Sequence, residues 1–433
     1  MSVRGGGRGG VRRAVGVVAA VLVLAAQAPT AMARPGAGDM SGVRETYVAV
    51  DGADARVRVL KVGPSRARKV LVLVAGQFGA AGGLEKPAQE LVARAPDTQV
   101  WAVDRREAAL SDLRGFAGTA QAAADYYLGG RYRAQTPQSA PYVADWGLAT
   151  ELDDLRRVVL AARDGGRRKV VLGGHSWGAT TALAYAGWDW NGRAGYRDLS
   201  GLVLIDGGVH DAFAGEGYTY RVTPEEARAR VERIRTGEVF DPSVTFDRAE
   251  TFAVLQQLAG KYAVEAPDEP SALAPLLPTV LRPTVPVTNL GLVKWLYADH
   301  PLVPDLAVNP AYTDAEDVAH SLAGPKPGMY EWYWPNRLTL DLEAADPFAD
   351  TPTARQLGLR LWHTKEIDVP LYSFATGLTH GTADEAAHWV VTNSQVRQAE
   401  YARDDAMTHL DPLLADAERN TFVRTVVPFL ART

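Results

Sequence analysis

Cysteine is absent from all 433 residues of the sequence. That absence excludes a disulfide framework, a lipid-modified cysteine anchor and a thiol nucleophile. A strong excess of charge is absent too, because 46 Lys and Arg stand against 51 Asp and Glu, for a formal net charge of −5. So small an imbalance gives no reason to expect nucleic acid or an anionic membrane surface as a partner. With apolar residues making up 47% of the chain, the fold must rest on its core.

Signatures of metal and cofactor sites are also missing. The sequence has no HExxH, no EF-hand loop, no Walker-type phosphate loop and no GxGxxG after its first predicted strand. We therefore expect neither a metal site nor a cofactor. The charged segment Asp104-Arg105-Arg106-Glu107 is interpreted as a network at the edge of a sheet rather than as a second catalytic centre.

The start of the chain lacks a hydrophobic run long enough to span a bilayer. The apolar run Ala14–Ala26 is shorter than the ~20 residues that a spanning helix needs. It follows Arg12-Arg13 and precedes Ala31-Met32-Ala33, a small-x-small cleavage site, so residues 1–33 are predicted to be a secretory signal peptide. We expect a secreted protein with no stable membrane span after signal removal. Export by the Sec route is expected, and the arginine pair leaves a twin-arginine route open.

Short apolar runs alternate with helical patterns in the first half of the chain. Thr46–Val50 and Ala55–Val62 lie on either side of Asp51-Gly52, which predicts a hairpin. Helical patterns such as Leu84–Ala95 and Ala149–Ala162 separate the runs that follow. Continuous apolar runs between helices are typical of a parallel sheet covered on both faces. The runs predicted to be its strands are Lys69–Ala75, Gln99–Asp104, Lys169–Gly173 and Gly201–Asp206.

The alternation of strands and helices stops after His210. For about 155 residues the sequence contains helical pieces, prolines and aromatics, and strands resume at Val369–Ala375. A further strand is predicted around Gln398–Arg403 and a closing amphipathic helix over Leu413–Leu430. We therefore predict one sheet domain in two parts, residues 34–208 and 367–433. A large helical cap, residues 209–366, is inserted between them.

A G-x-S-x-G motif marks the candidate nucleophile. It lies in RRKVVLGGHSWGATTALAYA, between an apolar strand and a helix of small residues. In a nucleophile elbow the serine occupies a strained strand-to-helix turn, so its neighbours must be small enough for strand and helix to approach. Gly174, Gly178 and Ala179 meet that demand. An inert glycine-rich turn would not need a glycine two residues on either side of one serine, and Ser176 is predicted to be the nucleophile.

With this motif and strand order, Thr46–Asp206 and Val369–Leu430 resemble the α/β-hydrolase superfamily. The resemblance implies a mostly parallel central sheet with helices on both faces and a large inserted cap. It also implies an oxyanion hole formed by the backbone N–H of Trp177 and a second N–H from the loop after the third strand. Gln77 is the expected second donor and Phe78 the alternative, because the sequence there departs from the His-Gly that the family often carries.

The nucleophile needs a base, since a serine hydroxyl is weakly nucleophilic near neutral pH. Of the eight histidines, His409 follows the last predicted strand and precedes the last helix, as the family's catalytic histidine does. His175 is interpreted as a packing residue that points away from the site. The segment after the seventh strand lacks the carboxylate that most members carry there. The resemblance therefore favours Asp206, after the sixth strand, as the acid, with Asp384 as the alternative.

These residues predict a secreted serine hydrolase that cleaves carboxylic esters through an acyl-enzyme on Ser176, in the manner of an esterase or lipase. The expected partner is a small-molecule ester or lipid-like substrate, although no substrate-binding residue is identified. Two alternatives stay open: a serine peptidase of the same fold, which needs an acidic pocket for a free amine, and a non-catalytic binding protein on a hydrolase scaffold. The cap aromatics suggest an apolar substrate but could equally form the cap's own core. They are Trp295, Tyr297, Tyr330, Trp332, Tyr333 and Trp334.

Overall fold

A computed structural model of the chain describes residues 42–51, 55–242, 248–324 and 328–433. The predicted signal peptide, residues 1–33, lies outside the described residues. Among those residues, no helix combines the length and hydropathy that a membrane crossing requires.

Eight strands form the central sheet, in the order β1-β2-β4-β3-β5-β6-β7-β8. The first two pair antiparallel, as the hairpin prediction requires, and β2 pairs antiparallel with β4. From β4 to β8 every pairing is parallel. The strands are β1 (Val43–Ala49), β2 (Arg56–Val62), β3 (Lys69–Val74), β4 (Thr98–Val103), β5 (Lys169–His175), β6 (Gly201–Ile205), β7 (Leu371–Thr376) and β8 (Ala399–Asp404). The predicted mostly parallel sheet is confirmed.

Helices pack on both faces of this sheet. The first group, α1 to α4, alternates with the strands up to β6, and α11 to α13 accompany the last two strands. The helices are α1 (Glu85–Arg94), α2 (Ala120–Tyr127), α3 (Leu148–Arg163), α4 (Trp177–Gly187), α5 (Pro224–Thr236), α6 (Thr251–Glu265), α7 (Asn289–Lys294), α8 (Ala315–Ala323), α9 (Asn336–Ala345), α10 (Pro352–Leu357), α11 (Thr382–Thr392), α12 (Asp411–Leu414) and α13 (Thr421–Arg432).

Alternate residues of β3 show how the two faces are filled. Val70 and Val72 pack into one apolar core with residues of α3 and α4. Leu71 and Leu73 point the other way, into a second core with residues of α1 and α13. Both faces of the strand are buried because successive side chains of a strand point to opposite sides. This two-sided burial explains the continuous apolar runs in the sequence.

Helices α5 to α10 lie between β6 and β7, where the cap was predicted. Helix α9 packs against α3, α4 and α5, while α6 packs against α7 and α8. The described residues, with the insertion among them, form one compact unit. The insertion is therefore helical, and its boundaries at residues 209 and 366 stay a prediction.

Two local predictions are wrong. The closing helix predicted over Leu413–Leu430 is two helices, α12 and α13. Asn420 starts the second one as an N-cap, because its side chain accepts a hydrogen bond from the backbone N–H of Val423. The segment Asp104–Glu107 does form the predicted charged network, since Arg105 pairs with Glu151 and Glu331 and Arg106 pairs with Asp154. Its expected position at an edge strand is wrong, because β4 is flanked by β2 and β3.

Candidate active site

Ser176 occupies a strained turn between β5 and α4. Its backbone has φ +56° and ψ −128°, a conformation that non-glycine residues seldom adopt. The turn is tight, because a Cβ on Gly174 would lie 2.0 Å from the carbonyl oxygen of Gly178. A Cβ on Gly178 would in turn lie 2.3 Å from the carbonyl oxygen of Val74. Both glycines of the motif are therefore required by the backbone.

His409 and Asp206 are in direct contact, although 203 positions separate them in the chain. The Nδ1 of His409 lies 2.6 Å from Oδ2 of Asp206, and both side chains are buried. Thr376, the last residue of β7, donates two more hydrogen bonds to this carboxylate, from its backbone N–H at 2.8 Å and its hydroxyl at 2.6 Å. Burial raises the pKa of Asp206, but the hydrogen bonds and the charge of His409 outweigh it and lower the pKa overall. The carboxylate therefore stays ionised.

His409 and Ser176 line the same cavity. Burial lowers the pKa of His409, but the hydrogen bond and charge of Asp206 outweigh that effect, and the pKa is raised overall. Because Nδ1 is engaged by the carboxylate, Nε2 is the nitrogen that remains for a partner in the cavity. Within the described residues neither Nε2 nor the Ser176 hydroxyl forms a hydrogen bond, and such contacts often tighten only when substrate is bound.

His175 contacts the His409 loop, so the interpretation that it points away from the site is wrong. Its Nε2 lies 2.8 Å from the backbone carbonyl oxygen of His409. A carbonyl only accepts, so this nitrogen carries the proton and donates. The two imidazole rings lie 4.2 Å apart. Burial lowers the pKa of His175 to about 3, which keeps the ring neutral.

The loop after β3 forms a turn against Ser176. The N–H of Gly79 donates to the carbonyl of Gly76 at 3.1 Å, and Phe78 has φ +57°. A Cβ on Gly76 would lie 2.7 Å from the Cβ of Ser176, so only glycine allows this approach. Across the described residues, the backbone N–H groups of Gln77, Phe78 and Trp177 donate no hydrogen bond. The expected donors are thus placed beside Ser176, while the choice between Gln77 and Phe78 stays open here.

The cavity has a volume of about 120 Å³ and is mostly apolar. Of the six cap aromatics, Tyr330 lines it, whereas Trp332, Tyr333 and Trp334 are buried in the apolar cores. Trp295 stacks on His300 instead, with ring centroids 3.7 Å apart. Most of these aromatics therefore belong to the core. The apolar side chains that do line the cavity include Phe252, Val303, Leu306, Met329, Leu410 and Leu413.

Carboxyl groups lie close to His409 on the insertion side. Asp305 lines the cavity, and the carboxyl of Glu216 interacts with the carboxyl of Asp305. Burial raises the pKa of Glu216 to about 8, with Asp305 adding to the rise and His409 opposing it. The sequence offered no signal for this pair, because the two residues come together only in the folded cap.

Asp384 lies in the first turn of α11. Burial raises the pKa of its carboxyl, while His388 and Arg403 oppose the rise. The structure therefore brings Asp206 to His409, and it leaves Asp384 in a setting that an acidic helix N-terminus explains. Elsewhere in the described ranges, one carboxylate group is compact enough to hold a metal ion: Asp314, Asp317 and Asp416. Lys86 and Arg419 already form ion pairs with it.

A strained serine at the carboxyl end of a central parallel strand, followed directly by a helix, has the backbone geometry of the nucleophile elbow in the α/β-hydrolase fold. The strand order and this elbow define the chain as having that fold.

No protein-family model and no curated protein sequence matches the chain. Solved structures similar to it include the thioesterase domain of the curacin biosynthetic pathway, which is 12% identical over 90% of this chain and 99% of that one, with a TM-score of 0.45. A monoglyceride lipase from Saccharomyces cerevisiae is 12% identical over 90% and 94%, with a TM-score of 0.45. An epoxide hydrolase from an endophytic Streptomyces is 16% identical over 90% and 96%, with a TM-score of 0.41. The fold assignment rests on strand order and elbow rather than on these distant likenesses.

Proposed function

We propose that this protein is a serine hydrolase that cleaves carboxylic esters through an acyl-enzyme on Ser176. The observation that supports it most directly is the shared cavity of Ser176 and His409, with Asp206 holding the Nδ1 side of the imidazole. A serine on an elbow, a histidine base and a buried carboxylate are the three roles of a catalytic triad.

In the proposed mechanism, Nε2 of His409 accepts the hydroxyl proton of Ser176 as its oxygen attacks the ester carbonyl. The carbonyl oxygen becomes an oxyanion, which the backbone N–H groups of Trp177 and Gln77 stabilise. The imidazolium, stabilised by Asp206, then donates its proton to the departing alcohol. Water repeats the sequence on the acyl-enzyme and releases the acid. The ionised Asp206 and the raised pKa of His409 both favour the imidazolium that forms on the way.

The cavity supports a short acyl chain or a single ring as the group bound beside Ser176. Its volume of about 120 Å³ is somewhat below the ~150 Å³ of an engineered apolar cavity that holds benzene. Its apolar lining offers few partners to a polar acyl group.

A serine peptidase acting on a substrate with a free amine is the second candidate, and Asp305 favours it. The Asp305 carboxylate in the cavity provides the negative partner that an ammonium group requires. The neighbouring Glu216, whose pKa is raised to about 8, is mostly protonated near neutral pH and adds little charge. In this reading Asp305→Asn should reduce turnover of aminoacyl substrates and leave that of neutral esters unchanged.

Fluorophosphonate labelling, combined with matched p-nitrophenyl esters and aminoacyl p-nitroanilides, tests both candidates. Labelling and ester turnover that Ser176→Ala abolishes would support the esterase. Turnover confined to the anilides would support the peptidase. A folded protein that is neither labelled nor active would identify a binding protein on a hydrolase scaffold.

Export is part of the proposal and rests on the signal-like residues 1–33. Amino-terminal sequencing of the protein recovered from the culture medium should give a chain beginning at Arg34. An uncleaved chain retained in the cells would contradict export.

A further inference from the structure

Arg105 is a buried arginine on the far side of the turn from the cavity. It follows β4, and only 4% of its side chain is exposed. Residues 75 to 80 line the cavity, whereas Arg105 does not. Its guanidinium therefore contacts the turn from behind and cannot touch a substrate in the cavity.

The guanidinium binds three carbonyl oxygens of the turn. Its Nη2 donates to the carbonyl of Ala75 at 2.6 Å. Its Nη1 donates to the carbonyl of Gly79 at 3.2 Å and to that of Gly76 at 3.4 Å. One planar fork thus holds both ends of the turn, which a single ammonium group could not reproduce.

Two buried glutamates hold the guanidinium in place. Glu151 accepts from Nε at 2.9 Å, and Glu331 accepts from Nη1 at 3.3 Å and from the backbone N–H of Arg105 at 3.2 Å. The ring of Trp334 lies 4.7 Å from the guanidinium carbon. Glu331 also donates its backbone N–H to the carbonyl of Phe78 at 2.7 Å. The turn is therefore fixed through its carbonyls by one connected group of residues.

The direction of the Gly76 carbonyl decides the direction of the next N–H. The carbonyl of Gly76 and the N–H of Gln77 belong to one trans peptide unit, in which the two groups point in opposite directions. The Gly76 carbonyl accepts from both the N–H of Gly79, at 3.1 Å, and Nη1 of Arg105, at 3.4 Å. We infer that the N–H of Gln77 points away from Arg105, towards the cavity that Gln77 lines. The peptide that carries the N–H of Phe78 is not held in this way, because the carbonyl of Gln77 accepts no hydrogen bond among the described residues.

We propose that Arg105 is the positioning residue of the oxyanion hole: its fork on the carbonyls of Ala75, Gly76 and Gly79 fixes the N–H of Gln77 as the second donor. The inference rests on the proposed function, since an oxyanion forms only if Ser176 attacks a carbonyl. Holding a donor in place before the reaction matters because a preoriented dipole needs no reorganisation as charge develops.

Arg105→Lys tests this assignment, because it keeps the positive charge and removes the fork. Removing one oxyanion donor costs about 10²- to 10³-fold in kcat, so a misdirected donor should lower kcat by at least ~10-fold with little change in KM. The affinity for a trifluoromethyl ketone, which forms an oxyanion on Ser176, should fall in parallel. Arg106→Lys is the matched control, since Arg106 binds Asp154 at 2.5 and 2.6 Å and does not contact the turn.

The outcomes separate this inference from the proposed function. If the parent enzyme is active and Ser176→Ala is not, an unchanged kcat in Arg105→Lys overturns the positioning role alone. Equal losses of kcat in Arg105→Lys and Arg106→Lys would also overturn the positioning role, because the loss would then not depend on contact between the arginine and the turn. If Arg105→Lys does not fold, Glu151→Gln decides, because it weakens the anchor of the guanidinium and leaves the turn untouched. A kcat loss of about threefold or more with constant KM supports the role, and an unchanged kcat overturns it. An inactive, unlabelled parent removes both proposals together.

Discussion

Replacing Asp206 with asparagine should nearly abolish the proposed esterase activity, because it changes which nitrogen of His409 carries the proton. In the parent, Oδ1 of Asp206 accepts the backbone N–H of Thr376, and Oδ2 accepts both Nδ1 of His409 and the Thr376 hydroxyl. An asparagine has one oxygen and one NH₂ group for the same two positions. Because the backbone N–H of Thr376 cannot turn away, the amide oxygen must stay opposite it. The NH₂ group then faces His409.

A donor facing Nδ1 requires that nitrogen to give up its proton, which moves to Nε2. Nε2 can then no longer accept the proton of Ser176. The opposite amide orientation would set NH₂ against the N–H of Thr376, and an unsatisfied buried donor costs about 1–3 kcal/mol. A wrong tautomer in a triad lowers kcat by ~10⁴-fold, which corresponds to ~5 kcal/mol in the barrier.

Steady-state kinetics on Asp206→Asn and Asp384→Asn, purified side by side, would measure this. Asp384→Asn should retain the parent's kcat, since Asp384 lies in the first turn of α11 and, among the described residues, forms no hydrogen bond or ion pair with His409. A charge at a helix start is worth only ~0.3–1 kcal/mol in stability. Thermal unfolding of both variants controls for misfolding. A folded Asp206→Asn with kcat within tenfold of the parent would refute the reasoning, and so would a silent Asp384→Asn beside an active Asp206→Asn.

Three further predictions concern the base, its support and the cavity. Activity requires His409 in its neutral form, and the pKa of His409 is raised. We therefore expect kcat/KM to rise with pH through a midpoint above the pKa of ~6.5 of a free imidazole. A midpoint below about pH 5 would indicate carboxylate chemistry instead. His175→Phe leaves the buried backbone carbonyl of His409 without its hydrogen-bond donor. The variant should therefore lower the free energy of unfolding by ~1–3 kcal/mol in denaturant titrations and reduce kcat more than it changes KM. An unchanged kcat would reject a supporting role for His175. Phe252 lines the cavity, so Phe252→Ala should enlarge it and shift ester preference towards longer acyl chains. Trp295 does not line the cavity, so Trp295→Phe should leave the preference unchanged. Identical chain-length profiles for the two variants would contradict this prediction.

The fold and the strained turn at Ser176 could be predicted because their signals are local. Each buried strand is a continuous apolar run, and the two glycines beside Ser176 are needed by contacts within the elbow itself. The pairing of His409 with Asp206 has no local signal. It was available only through the resemblance to a known family, and the structure places the two side chains together. Their catalytic roles stay predictions.

The supporting residues could not be predicted, because each acts across strands. Thr376 contacts Asp206 only because β6 and β7 end side by side, and the sequence around it contains no catalytic motif. The side chain of His175 was wrongly predicted to point away from the site. The alternation of side chains along β5 does not show that the His409 loop lies at the end of this strand. The cap aromatics were ambiguous for a related reason: large apolar side chains at helical spacing fill a core or line a cavity equally well.

The insertion is joined to the turn after β3 by its own backbone, and this limits how the protein can be rebuilt. The N–H of Ala80 donates to the carbonyl of Met329 at 2.8 Å, and the N–H of Glu331 donates to the carbonyl of Phe78 at 2.7 Å. Cap exchange between hydrolases treats the inserted segment as an interchangeable module. Here an exchange of residues 209–366 would also remove Met329 to Glu331, whose backbone forms these two hydrogen bonds with the turn. A functional chimera must therefore keep Met329 to Glu331 from the parent or supply an equivalent extended segment at that position.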